Sequence, residues 1–402
     1  MTTHPSCRDD PLNHYACNTI ADHHRTLADN YGVRLPDPTA YLQDQPALPV
    51  PKCAAKVGII GGGIGGLYAA LLLQEQGIPY EILEASPRLG GRLFTHRMGD
   101  RPNDYYDVGA MRFPNTEVMQ PLFDLFAKIG LRTGQYLFKD RRGNSALLFN
   151  DVQRKRADGP VTPQKFDITG VPPEPYGNLG WEKNVANVVE PFSKRLIHDF
   201  RTKGDRGWEV MMDYDKYSMR AYMAGNRSDK DKYDGLDELN LMPYPLEVVN
   251  WCETFDKSSG WYDRALSETV LEALAFSWDG KPIDWKYIVS VPLALHPSAL
   301  LLTAPSGGSS QLPLTLDEYM SKQPGYTRPF FNTRVVGMSC VDPADMPPSS
   351  QTVSQTVSAA AGRAAKRFAA GDDLPDVGCI AVHVADGPPR YYSHVITTTT
   401  LP

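Results

Sequence analysis

The sequence predicts an α/β fold in two parts: a layered domain of strands and helices that is discontinuous along the chain, and a mostly helical domain set into it. Three observations carry this. The apolar run VGII (Val57–Ile60) passes through a cluster of glycines into the helical run LYAALLLQEQG. Later segments, VANVVEPFSKRLIHDFRTK, WEVMMDYDKYSMRAYM and YDRALSETVLEALAFSW, place apolar residues at spacings of three and four, the period of a helix with one buried face. Beyond Thr327 the character reverts, with FFNTRVVGMSCV, IAVHVAD and YYSHVITTTTLP all β-branched and strand-like. A chain of 402 residues also exceeds the size at which one core usually stops growing, so two domains are the natural expectation.

Residues 1–52 are rich in Pro, His and Asp without sustained periodicity, which predicts an extended arm. The opening MTTHPSCRDDPLNHY lacks the apolar core of a signal peptide, so an intracellular, cytoplasmic protein is expected. Six cysteines (Cys7, Cys17, Cys53, Cys252, Cys340, Cys379) show no CxxC pair, which argues against a metal site or a dense disulfide framework and fits a reduced setting. A net charge of -6 without a block of like charge argues against nucleic acid as a partner. Neither apolar run suits a membrane span, because Val57–Leu73 is broken by glycines and Tyr287–Pro305 by Pro292, His296 and Pro297. Oligomeric state is left open, a homo-oligomer included.

The folded body starts near Lys56. Gly61, Gly63 and Gly66 form GxGxxG directly after the strand and directly before the helix, with Ile64 and Gly65 inside the pattern. The first glycine permits a tight turn, the second lets backbone approach a pyrophosphate, and the third lets helix and strand pack closely. Phosphate then meets the helix N-terminus, where unpaired N–H groups and the dipole favour an anion. A second strand, IPYEILEAS, brings Glu84 to a position 18 residues after Gly66, where a carboxylate can accept from a ribose diol. Together these predict a Rossmann-like dinucleotide site; the competing interpretation is a turn of purely structural use. The continuation SPRLGGRLFTHR separates FAD from NAD, since Arg88 and Arg92 bracket Gly90 and Gly91 and offer two guanidinium groups to phosphate.

VGIIGGGIGGLYAALLLQ, ILEAS, RLGGR and YDVGAMRFP together resemble the flavin-containing amine oxidase superfamily, specifically its L-amino-acid oxidase branch. Polyamine and monoamine oxidases share the first three motifs, and the fourth discriminates. The resemblance implies FAD as cofactor, held by Gly61, Gly63, Ile64, Gly65, Gly66, Glu84 and Ala85, by Arg88, Gly91 and Arg92, and along the ring by Gly109, Ala110, Met111 and Arg112. It also places Val335 of FNTRVVGMS at the adenine end. Arg112 would clamp the substrate carboxylate as a bidentate ion pair; its structural alternative is a salt bridge to Asp107 or Glu117. A carboxylate clamp suits an α-amino acid and is of no use for a simple amine.

On this basis the expected organisation is an arm (1–52), the first part of the FAD-binding domain (53–142), a mostly helical substrate domain (143–300) and a return to the FAD-binding domain (301–402). A low-complexity insertion is expected at 342–376. SGGSSQLPLTL resembles the family's glycine turn back toward the FAD domain, although Trp285 stands farther before it than the family pattern has it. SHVITTTTLP resembles the strand that precedes the family's last third, so the resemblance implies an incomplete substrate domain and weak competence. The implied reaction takes an L-amino acid and dioxygen to a 2-oxo acid, ammonia and hydrogen peroxide. Its rivals are a decarboxylating amino-acid monooxygenase of the same family and a catalytically inactive flavin-binding protein.

Overall fold

The structure, a computed structural model, describes residues 10–35, 56–99, 101, 104–137, 142–159, 163–166, 172–225, 235–257, 259–276, 283–289, 307–341 and 379–399. In chain order the elements are α1 (Pro11–Tyr31), β1 (Val57–Ile60), α2 (Ile64–Glu75), β2 (Tyr80–Leu83), β3 (Thr95–Arg97), β4 (Tyr105–Asp107), β5 (Phe113–Asn115), α3 (Gln120–Ile129) and β6 (Thr133–Gln135). There follow β7 (Ala146–Phe149), β8 (Val152–Lys155), α4 (Tyr176–Thr202), α5 (Arg206–Tyr214), α6 (Met219–Ala224), α7 (Leu246–Asp256), α8 (Leu266–Phe276) and β9 (Asp284–Ile288). The chain closes with α9 (Gln311–Ser321), β10 (Val335–Val341), β11 (Cys379–Val384), β12 (Arg390–Tyr392) and β13 (His394–Thr397). Two compact units result: Met1–Gln43 with Pro114–Gln120 and Tyr136–Trp285, and Asp44–Phe113 with Pro121–Gln135 and Lys286–Pro402.

The first unit is helical. Its core joins Phe192, Leu196, Met211, Met219, Val248 and Leu266, all buried, on helices whose apolar residues share one face. The N-terminal arm differs from expectation, because residues 11–31 form the 21-residue helix α1. Asp10 caps it by accepting from Leu12 N at 3.0 Å, Pro11 stands in its first turn, and Gly32 ends it at φ 68°. The helix is fixed by few side chains: Tyr15 is buried and donates to Leu196 O at 2.9 Å, and Trp208 Nε1 donates to Asp22 at 2.5 Å. The long connection after Gly143 also has structure of its own. There β7 and β8 form a hairpin turned by Asn150 and Asp151, both at positive φ.

In the second unit β1 is flanked in parallel by β2 and β13, with Val57 opposite Tyr80 on one side and His394 on the other. The segment at Phe330 extends this sheet beyond β2: Phe330 N donates to Ile82 O, Glu84 N to Phe330 O and Thr333 N to Glu84 O. One face packs Ile59, Ile82 and Tyr80 with Leu67 and Leu71 of α2 and with Leu312 and Leu316 of α9. Buried Gln74 ties these helices, donating to the carbonyls of Met320 and Pro324, both at 3.0 Å, while it accepts from Tyr80 Oη at 2.8 Å.

The opposite face carries Ile60 and Leu83 against Val382 and Tyr392 of the antiparallel sheet β10–β11–β12. Glu81 lies on this side, ion-paired to Lys56 at 2.5 Å and Arg390 at 3.2 Å and accepting from Tyr392 Oη at 2.8 Å. Burial opposes its charge, but the hydrogen bonds from Lys56 and Tyr392, with the Lys56 and Arg390 charges, hold its carboxyl below the ordinary range.

Among the described residues one cysteine differs from the reduced setting expected: Cys379, buried at the start of β11, is disulfide-bonded, while Cys17, Cys252 and Cys340 are in no disulfide. The insertion expected at 342–376 and the proline-broken run from Val291 lie outside the described residues. Among the described residues no helix is long and apolar enough to cross a membrane, and no group of His, Cys, Asp and Glu could hold a metal ion.

Candidate active site

The glycine turn sits at the carboxyl ends of the parallel strands, where β1 has β2 on one side and β13 on the other, the position at which open α/β sheets bind ligands. Gly61 adopts φ 108°, a conformation that L residues with a side chain rarely take. A Cβ on Gly66 would overlap the Gly61 carbonyl oxygen, so α2 can lie this close to β1 only with glycine there. Gly63 is different: a Cβ at that position meets no atom within 4 Å. The first backbone bond of α2 runs from Leu67 N to Gly63 O, so the N–H groups of Ile64, Gly65 and Gly66 precede the helical ladder. The residues therefore fit a pyrophosphate: N–H groups at a helix N-terminus, of which those of Gly65 and Gly66 have no bonded partner among the described residues, beside a Gly63 whose Cβ position meets no atom within 4 Å.

Glu84 follows β2 directly. Its Oε2 accepts from Gly62 N at 2.6 Å and its Oε1 from Ser86 N at 2.8 Å, which fixes the carboxylate beside the glycine turn with lone pairs remaining for a diol. Ala85 continues the same turn. Gly90 N donates to Gly62 O at 2.9 Å, and a Cβ on Gly91 would lie 3.7 Å from Gly63 Cα, so the RLGGR loop docks onto the GxGxxG turn.

The two arginines of that loop part company. Arg88 donates to the carbonyls of Leu89 at 3.3 Å and Gly91 at 3.0 Å and stacks on Phe94, so its guanidinium organises the loop itself. Arg92 is exposed and has no carboxylate partner among the described residues.

The GAMR segment is held beside this loop. Val108 N donates to Phe94 O at 2.8 Å, and a Cβ on Gly109 would overlap the Arg92 carbonyl oxygen, so glycine is required by close approach. Ala110, Met111 and Arg112 then run exposed along the surface of the unit. Asp107, one of the two alternatives for an Arg112 salt bridge, is committed elsewhere: Oδ1 accepts from Thr95 Oγ1 at 2.5 Å, Ser309 N at 2.8 Å and Ser309 Oγ at 2.9 Å. This network stitches the GGSS turn before α9 to the strand that leads into GAMR. Val335 opens β10 and packs with Phe330 and Leu83, two residues after Thr333, whose N–H donates to Glu84 O.

Thr398 went unnoticed in the sequence, as did Ser309 and Ser310. Its hydroxyl donates to Ile60 O at 3.0 Å and Gly61 O at 3.3 Å from the end of β13. The threonine run marks a strand but says nothing of what lies across from it.

A parallel sheet whose first strand ends in this turn, with a carboxylate after its second, defines a dinucleotide-binding protein. The chain belongs to the flavin containing amine oxidoreductase family, whose pattern it matches over residues 64–362, and its cofactor is FAD. It is 33% identical to L-amino-acid oxidase 4 of Hebeloma cylindrosporum across 98% of this chain and 54% of that protein, so it spans about half the length of that relative. It is 37% identical to the cytotoxic L-amino-acid oxidase of Amanita phalloides, over 34% of this chain and 99% of the other. Among solved structures, a putrescine oxidase bound to putrescine aligns with a TM-score of 0.47 at 16% identity, covering 86% of this chain and 57% of that one.

Proposed function

We propose that the protein carries out oxidative deamination of an L-amino acid, giving the 2-oxo acid, ammonia and hydrogen peroxide. The supporting observation is the placement of GAMR: Gly109 is pressed against the Arg92 carbonyl, so the segment that ends in Arg112 departs from beside the RLGGR loop and the glycine turn. A cation there suits a substrate that carries a carboxylate. The L-amino-acid oxidases among the relatives favour the same class.

FAD, when bound, supplies the redox chemistry, taking a hydride from the substrate Cα and passing its electrons to dioxygen. The chain's own residues bind and orient. The N–H groups of Ile64, Gly65 and Gly66 would hold the pyrophosphate, Glu84 the adenosine ribose, Arg92 a phosphate oxygen, and Gly109, Ala110 and Met111 would line the ring. Arg112 would fix the substrate carboxylate by two parallel N–H bonds, which removes rotational freedom of Cα before reaction. The released imino acid takes up water to give the 2-oxo acid and ammonia. In this scheme the helical unit serves as the substrate domain.

The test compares an amino acid with its decarboxylated amine in wild type and Arg112→Ala. Loss of a bidentate charged contact, about 3–4 kcal/mol for two charge-assisted bonds, should lower kcat/KM for the amino acid roughly 100-fold or more and leave the amine within about threefold. Equal losses on both substrates would make Arg112 structural. Product analysis settles the chemistry, since an amide in place of 2-oxo acid and peroxide would indicate a monooxygenase.

A further inference from the structure

We infer that Thr398 is a positioning residue for the cofactor, acting through the peptide bond between Gly61 and Gly62. That peptide is gripped from both sides. Its carbonyl, Gly61 O, accepts from Thr398 Oγ1 at 3.3 Å, and its N–H, on Gly62, donates to Glu84 Oε2 at 2.6 Å. On the remaining side the carbonyl faces the Cα of Gly66 so closely that a Cβ there would overlap it. The peptide plane therefore cannot rotate without losing both hydrogen bonds or striking α2.

Further contacts place Thr398 as a clamp on the whole turn. Thr398 N donates to Ile60 O at 3.0 Å, carrying the β13–β1 ladder one residue past its last pair, Thr397 with Ile60. Its side chain lies 2.8 Å from where a Gly61 Cβ would stand, 3.7 Å from a Gly65 Cβ and 3.2 Å from a Gly66 Cβ. Its hydroxyl has one proton, shared between Ile60 O and Gly61 O, so both carbonyls at the strand-to-turn corner are drawn toward β13.

The consequence concerns two parts of the cofactor together. The peptide orientation fixes where the N–H groups of the following turn point, and it fixes the Glu84 carboxylate through the Gly62 N–H. Thr398 spends its hydroxyl on the Ile60 and Gly61 carbonyls, so it would act on the groups that bind pyrophosphate and ribose through the peptide they share. The inference rests on FAD as cofactor and is independent of which substrate is oxidised.

The experiment measures the FAD dissociation constant of apo-protein by flavin fluorescence, for wild type, Thr398→Val, Thr398→Ser and Tyr392→Phe. Valine keeps the branched strand-compatible shape but cannot donate, so FAD should bind about 3- to 12-fold more weakly, as loss of one neutral hydrogen bond implies. Serine restores the donor and should return affinity to within about twofold of wild type. Tyr392→Phe removes the hydroxyl bond to Glu81, away from the carboxyl ends of the strands, and should lower the unfolding midpoint with FAD affinity unchanged.

A cycle of Thr398→Val with Glu84→Gln adds a readout that general destabilisation would not move. Two groups that act on one peptide should show losses that fall short of additive. The inference is overturned if Thr398→Val binds FAD within twofold of wild type, if Thr398→Ser binds as weakly as Thr398→Val, or if the double-variant losses simply add. Should Thr398→Val fail to fold, Thr398→Ala takes its place against Thr398→Ser with the same criteria.

Discussion

Substituting Gly63 by alanine separates a glycine kept for its ligand from one kept for its fold. Gly63 has φ -74° and ψ 179°, which alanine adopts without strain, and its added Cβ would meet no atom within 4 Å. In the apo-protein two small effects oppose each other. A stiffer unfolded chain stabilises by about 0.4–1 kcal/mol, and alanine is a poorer helix N-cap than glycine by roughly the same amount. Apo stability should therefore change by less than about 1 kcal/mol.

Bound FAD should respond differently, because the methyl would stand where phosphate approaches the first N–H groups of α2. Losing one charge-assisted hydrogen bond costs about 1.5–3 kcal/mol, equivalent to roughly 10- to 150-fold in affinity. Gly66→Ala is the counterpart: its Cβ overlaps backbone, the Gly61 carbonyl, and overpacking of this kind costs about 1–3 kcal/mol or more. Urea unfolding of the apo-proteins and fluorescence titration with FAD read the two quantities separately. Gly63→Ala with wild-type FAD affinity, or with an apo destabilisation equal to that of Gly66→Ala, would refute the assignment of this turn to the pyrophosphate.

Two other outcomes follow from the packing. Glu81, held below its ordinary range between Lys56 and Arg390, contributes stability that is present above the unfolded carboxylate value and lost as pH falls through the lower folded one. Glu81→Gln should cost about 1–3 kcal/mol near neutral pH, discounted toward the low end because Lys56 and Arg390 are about one-third exposed, and should flatten the acid limb of a stability-against-pH curve; an unchanged limb would contradict the network's role. Tyr15→Ala removes the buried ring and the hydroxyl bond by which α1 is fixed, so it should destabilise the helical unit by about 3–5 kcal/mol in calorimetry; a change below about 1 kcal/mol would show that α1 contributes little to its stability.

The parts of the site that lie close together in sequence were legible there. GxGxxG declares its geometry because turn, strand and helix are contiguous, and Glu84 follows by counting along the next strand. GAMR was recognisable as a motif, but the close approach of Gly109 to Arg92 depends on the pairing of β3 with β4. The helix α1 escaped because its only buried residues are Pro11 and Tyr15, which leaves no apolar period; Asp10, Pro11 and Gly32 were the signals that could have revealed it. The RLGGR spacing offers Arg88 and Arg92 alike to phosphate, and it is silent on the bonds Arg88 makes to carbonyls of its own loop, which depend on how that loop folds back. Thr398 could not have been found, since the atoms that define its role lie more than 330 residues away along the chain.

The most direct measurement of the central claim is the visible spectrum of the purified, FAD-loaded protein before and after anaerobic addition of mixed L-amino acids. The expected result is an oxidised flavin band that bleaches with the amino acids, returns when air is admitted with release of peroxide, and does not bleach with the corresponding decarboxylated amines. Bound flavin that is reduced equally well by amines, or a protein that retains a nicotinamide dinucleotide and no FAD, would contradict it.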